Sequence, residues 1–186
     1  MNIFYLDRDP EIAAQMMCDK HVVKMILESA QMLSTAHRVL DGDGYANKYG
    51  LYKSTHKNHP STIWTRTNGE NYVWLWNHFD ALMGEYTYRY GKHHKTERLR
   101  WPLYKCPNYI DHDSEFTDPP QCMPDVCKGG DTVSAYQTYY ILEKSGFASW
   151  KRREIPTWWE TSKRDLNSQA ENRIGITWEG DYERRT

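Results

Sequence analysis

The sequence predicts an all-α fold, one compact domain built as a bundle of about three main helices with long irregular connections. Three observations carry that expectation. Apolar and aromatic side chains recur at three- and four-residue steps over long stretches, capping residues and helix breakers bracket those stretches, and no alternating run reads as a strand. A length of 186 residues suits one ordinary domain. The hydrophobic fraction of 39% is low and the mean hydropathy is −0.89. Eight Trp and fourteen Tyr nevertheless supply the large surfaces from which a core can be built.

Asp9-Pro10-Glu11 opens the first helix. Asp9 can cap free amides, Pro10 suits the first helical position, and Glu11 favours the positive end of the helix dipole. From there to about Leu40 nothing in the sequence breaks the helix, and Asp41-Gly42-Asp43-Gly44 ends it. The stretch from there to Pro60 reads as a polar loop. A second helical region spans residues 60–90 with a bend at Asn68-Gly69. Ile63, Trp64, Tyr72, Trp76, Phe79, Met83 and Tyr86 form its core stripe. Gly91 stops it. Five prolines between residues 101 and 130, with Gly129-Gly130, predict an irregular crossing segment. A third helix starts with Asp131 as N-cap and runs through Val133, Tyr136, Tyr140 and Ile141 to Ser145-Gly146. Beyond Trp159 the chain turns polar at Ser162, Asn167, Ser168, Gln169 and Asn172. The domain is therefore expected to occupy residues 1–160, with 161–186 as a peripheral tail.

Composition narrows the function classes. The amino-terminal segment reaches charge at Asp7, and no apolar run is long enough to span a membrane. The four cysteines lack a framework spacing and read as reduced thiols, so a cytoplasmic monomer without membrane contact is expected. There is no glycine-rich phosphate loop and no Gly-x-Ser-x-Gly. His93-His94 and the Cys122/Cys127 pair match no closed zinc module, and no metal or organic cofactor is expected.

Three groups of residues can carry chemistry. His21, Lys24, Glu28 and Gln31 recur at helical steps and share one face. That face is either a solvated surface with a Lys24–Glu28 pair or the floor of a site, in which Glu28 does acid–base work and His21 helps to position it. His56, Asn58 and His59 crowd the entrance of the second helical region, as an ordinary cap or as a phosphate contact. Basic residues interleave with aromatics in two runs: Lys92, Arg98 and Arg100 near Trp101 and Tyr104, and Lys151, Arg152 and Arg153 beside Trp150. Such runs supply phosphate contacts and flat faces for unstacked bases, or else surround core aromatics as a solvated face. The net charge of −1 leaves this to distribution rather than sum.

In order, these pieces resemble the pyrimidine-dimer DNA glycosylases of the endonuclease V type, small helical repair enzymes of phages and bacteria, across roughly residues 1–153. Asp19-Lys20-His21-Val22-Val23-Lys24-Met25-Ile26-Leu27-Glu28 is similar to the family's first long helix. Asn58-His59-Pro60, the Gly84-to-Gly91 stretch, and Asp131 to Lys151 follow in the family's order. The resemblance implies that Glu28 is the catalytic carboxylate, and that a terminal α-amine attacks the sugar C1′ and forms a Schiff base. An α-amine suits this role because part of it is unprotonated at neutral pH. Asn2 is a bulky second residue, which predicts that Met1 is kept and that its amine is the nucleophile; Lys24 is the alternative amine. The implied activity is a DNA repair glycosylase, with abasic-site lyase activity, acting on damaged or modified pyrimidines in double-stranded DNA. A non-catalytic DNA-binding or accessory protein, or another nucleobase-modifying enzyme on the same scaffold, remains open from the residues alone.

Overall fold

Two long antiparallel helices set the architecture. The structure, a computed structural model, describes residues 1–164. Its helices are α1 (Pro10–Met16), α2 (Asp19–Leu40), α3 (Asp43–Lys48), α4 (Pro60–Thr65), α5 (Gly69–Tyr90), α6 (Arg100–Tyr104) and α7 (Thr132–Lys144), with 3-10 turns at Lys95–Leu99 and Asp125–Cys127. No strand occurs among the described residues, as an all-α fold requires. No helix among them is long and apolar enough to cross a membrane.

Cross-links between helix ends show how the pieces run. Arg89, at the end of α5, donates to Asp19 at the start of α2 (3.1 Å). His37, near the end of α2, meets the Tyr72 hydroxyl near the start of α5 (3.1 Å). The pair is therefore antiparallel. Helix α1 runs alongside α5 in the same direction: Pro10 O accepts from His78 Nδ1 (2.8 Å) and Gln15 O from Arg89 (2.8 Å). Val22, Met25, Ile26 and Leu33 of α2 and Leu75, Phe79 and Leu82 of α5 are fully buried. Of the expected stripe, Trp64, Tyr72, Phe79, Met83 and Tyr86 are buried, Trp76 is half-buried and Ile63 is exposed.

The caps fall where the sequence places them. Asp9 accepts from the amides of Glu11 and Ile12, Asn68 from that of Asn71, and Asp131 from that of Ser134. Gly91 closes α5 in the left-handed conformation at φ 68°, which glycine adopts without a Cβ clash.

Two expectations need correction. The first helix is not continuous from Asp9 to Leu40, because Met17 and Cys18 are extended and separate α1 from α2. Neither residue is a helix breaker. The break is tertiary, since the carbonyls that end α1 find partners elsewhere: Gln15 O and Met17 O accept from Arg89, and Met16 O from the Trp150 indole, each at 2.8 Å. The 41–60 connection is also not loop throughout, for it contains α3. Gly42 turns the chain at φ 76°, and Arg38 holds both ends of α3 through Asp43 (2.5 Å) and Asn47 (3.0 Å). An element of six residues is too short to show periodicity.

Contacts divide the chain into Met1–Arg153, which holds the helices named above, and Glu154–Thr186. In the second unit, residues 157–164 are helical and Ser162 Oγ donates to Trp158 O (2.9 Å). The polar tail expected from residue 161, with Asn167, Ser168, Gln169 and Asn172, lies outside the described residues beyond position 164.

Candidate active site

Glu28 sits in the middle of α2 with its side chain 13% exposed, and each carboxylate oxygen faces nitrogen. Lys24 Nζ, one turn earlier, lies 3.1 Å from Oε1. Asn2 N–H donates to Oε2 at 3.2 Å, and the Met1 α-amine is 3.8 Å from the same oxygen. The Lys24–Glu28 pair is what helical spacing predicts. The approach of the amino terminus is tertiary, since it joins positions 26 residues apart.

Asn2 is what brings the terminus there. Its side chain is buried, with Nδ2 donating to Cys122 O (2.9 Å) and Oδ1 accepting from Ile3 N–H (2.8 Å) and lying 2.8 Å from the Tyr136 hydroxyl. Ile3, Phe4, Tyr5 and Leu6 follow as a buried non-helical segment that turns at Phe4. Met1 has a side chain only 2% exposed, yet the residue as a whole is half-buried, so its accessible surface belongs to the main chain. Sequence reasoning used Asn2 only to predict that Met1 is kept, and did not single out its anchoring role or Phe4. The available signal was four consecutive apolar residues without helical or alternating period, directly after a polar residue that can hydrogen-bond.

His21 shares the Glu28 face by count but turns inward. Its ring stacks on Phe4 at 4.2 Å between centroids, and Nδ1 shares a 2.5 Å hydrogen bond with the Tyr140 hydroxyl. Burial, reinforced by Lys144 and Lys24, pulls its pKa down to about 4, so the ring is neutral at physiological pH. Phe4 adopts φ 55°, a left-handed conformation that a bulky side chain rarely takes. Its ring is enclosed by His21, Tyr136, Tyr139 and Tyr140. His21 therefore braces the segment that carries the terminus rather than touching Glu28.

His59 caps α4, its Nδ1 accepting from Ser61 N–H at 3.2 Å. An accepting Nδ1 leaves the proton of the neutral ring on Nε2. Burial lowers the His59 pKa, helped by the α-amine and His56 and opposed by Glu28. These influences place His59 within electrostatic reach of the α-amine and Glu28. His56 adopts φ 45° and is exposed, with Nδ1 2.8 Å from Thr55 Oγ1. Asn58 is exposed and Gln31 is half-buried.

The remaining basic residues are dispersed. Arg98 donates to Gly50 O (3.0 Å), and Lys92 lies over Tyr86. Arg100 pairs with Asp80, and Arg153 pairs with the buried Glu85. Trp150 is 9% exposed and donates its indole N–H to Met16 O. Arg152 donates to Tyr88 O (3.1 Å), and Lys151 N–H to the Asp19 carboxylate (3.0 Å). Asp19 precedes Glu28 by nine residues, about two and a half helical turns, so Lys151 is held on the opposite side of α2. Among the described residues, no three His, Cys, Asp or Glu side chains gather as a metal-binding group.

A half-buried carboxylate beside an α-amine can accept a proton from that amine and hold positive charge as it develops. A family model described as pyrimidine dimer DNA glycosylase matches residues 1–98, which include the terminus, Lys24, Glu28, His56 and His59. No curated protein and no solved structure matches the chain.

Proposed function

The chain belongs to the pyrimidine dimer DNA glycosylase family, and from that premise we propose that Glu28 and the α-amine beside it are the catalytic pair of this DNA repair enzyme. The single observation that carries the proposal is the convergence of the Met1 amine and the Asn2 N–H on Glu28 Oε2.

In this reading the unprotonated amine attacks C1′ of the damaged nucleotide. The C1′–N bond to the protein forms as the C1′–base bond breaks, and the base departs with the bonding pair and takes a proton from water. Glu28 takes the proton that the amine sheds. Glu28 passes that proton to the ring oxygen as the sugar opens to the Schiff base, which returns its carboxylate to the ionised form. In the lyase step Glu28 removes a C2′ proton, and the bond from C3′ to its phosphate oxygen breaks. If Met1 is removed, the new α-amine of Asn2 starts where the amide stands now, 3.2 Å from the carboxylate. Lys24 neutralises the other carboxylate oxygen and is the competing amine. His21 is a positioning residue acting through Phe4. Gln31, His56, Asn58 and His59 are the proposed contacts to a damaged pyrimidine nucleotide in duplex DNA.

Glu28→Gln tests the assignment. Cleavage of the glycosidic bond at a pyrimidine dimer in duplex DNA is expected to fall by about 10²–10⁴-fold, while the dissociation constant for the duplex stays within about twofold. Unchanged cleavage in this variant removes Glu28 from the chemistry and favours an accessory DNA-binding role.

A further inference from the structure

Between Asp43 and Glu70 the chain contains no Asp or Glu, yet it carries Lys48, Lys53, Lys57 and Arg66. The structure lays the middle of this acid-free stretch along α2. Thr55 N–H donates to Thr35 Oγ1 (3.2 Å), Tyr52 N–H to Ser34 Oγ (3.3 Å), and Arg38 to Tyr52 O (2.7 Å). Thr35 lies seven residues beyond Glu28, about two turns, and so faces the same way. The stretch continues through the exposed His56 to His59, whose pKa is lowered by burial and by the α-amine. It thus forms an edge leading away from the catalytic pair.

Two properties of this edge point to a ligand. Lys53, Ser54, Lys57 and Asn58 are all exposed, presenting two cations and two hydrogen-bonding groups within six residues. Arg38, Arg100 and Arg153 are paired with Asp43, Asp80 and Glu85, whereas no such pair involves Lys53 or Lys57 among the described residues. Arg66 braces the ridge from behind by donating to Lys57 O (2.8 Å).

We propose that this edge is the backbone grip of the enzyme. One strand of duplex DNA lies along it, with Lys53 and Lys57 on phosphates flanking the nucleotide presented to Glu28. From Glu28 to Arg38 the helix advances about 15 Å, which corresponds to about four phosphates of one strand. Lys151 lies on the opposite side of α2 and does not share in this contact. The assignment rests on Glu28 marking the site, so its test reads binding separately from catalysis.

The test is the salt dependence of affinity for an abasic-site duplex, measured by fluorescence anisotropy, for Lys53→Ala/Lys57→Ala and for Lys92→Ala/Lys151→Ala. The first pair is expected to reduce the slope of log affinity against log salt by about two, so that the affinity lost between roughly 50 and 200 mM salt shrinks about tenfold. Lys53→Arg/Lys57→Arg restores the slope, and the second pair leaves it unchanged. An unmoved slope in the first pair, or an equal change in the second, overturns the grip. Glycosidic cleavage measured on wild type and Glu28→Gln in parallel keeps the two ideas apart: Glu28-dependent cleavage with an unmoved slope removes only the grip. A protein that binds the duplex without cleaving the glycosidic bond still reports the grip through its slope. Absence of duplex binding at low salt overturns both.

Discussion

Asn2 couples the amino terminus to the rest of the molecule through one side-chain amide. Its removal in Asn2→Ala leaves Cys122 O and Ile3 N–H without their partner, each a cost of about 1–3 kcal/mol where buried. The expected result is a lower denaturant midpoint and a fall in the rate of glycosidic cleavage that exceeds any change in duplex affinity. Phe4 offers a test of the opposite sign. Glycine normally destabilises relative to alanine through its backbone freedom, but at φ 55° alanine keeps the steric penalty and glycine does not. Phe4→Gly is therefore expected to be at least as stable as Phe4→Ala by chemical denaturation, although both lose the ring packing. A clearly less stable Phe4→Gly would show that the left-handed backbone carries no strain. The packing role of neither residue is legible in the sequence, because it depends on Cys122, Tyr136 and Tyr140, all more than a hundred positions away.

Among the elements, the junction of α1 and α2 is the most consequential departure from what the sequence implies. Arg89 is fully buried and donates to Gln15 O, Met17 O, Asp19 and Glu85, so it terminates one helix, starts the next and ties both to α5. Asp19 in turn holds Ser149 Oγ and Lys151 N–H. Arg89→Met leaves the half-buried Asp19 without its charge partner and Gln15 O and Met17 O without their donor, while Glu85 keeps Arg153, and a loss of about 3–5 kcal/mol is expected in equilibrium unfolding. Arg89→Lys recovers little of this, since an ammonium cannot reach the four acceptors that a planar fork serves. The elements legible in the sequence were those specified locally. Asp9, Asp131 and Gly91 are caps whose chemistry needs only neighbours, and the 60–90 stripe is periodic. The α1–α2 break and α3 were not legible, because distant groups impose one and the other is too short to carry a period.

For the molecule as a whole, acid sensitivity follows from buried neutral histidines. Burial lowers both His21 and His78 to about 4, against about 6.5 in the unfolded chain. The unfolded state binds more protons between these values, so stability is fully present above about pH 6.5 and declines as pH falls towards 4. Each histidine contributes up to about 1.4 kcal/mol per pH unit within that window, several kcal/mol for the pair. The unfolding midpoint is expected to drop over that range, and His78→Gln should flatten part of the decline; a midpoint constant from pH 7 to 4.5 contradicts this account. At the same scale, the candidate site was half legible. Helical spacing joined Lys24 to Glu28, but the meeting of Glu28 with the terminus is made by a chain crossing that no periodicity records. The basic residues that composition grouped together, Arg100 and Lys151 through Arg153, serve different faces or partners once folded.

In the proposed chemistry an α-amine held against Glu28 is the nucleophile. Borohydride reduction of the protein on a duplex carrying an abasic site or a pyrimidine dimer, followed by peptide mapping of the covalent adduct, tests it most directly. The predicted result is an adduct on the amino-terminal residue that is greatly reduced in Asn2→Ala. An adduct on Lys24, or none while the duplex remains bound, contradicts it.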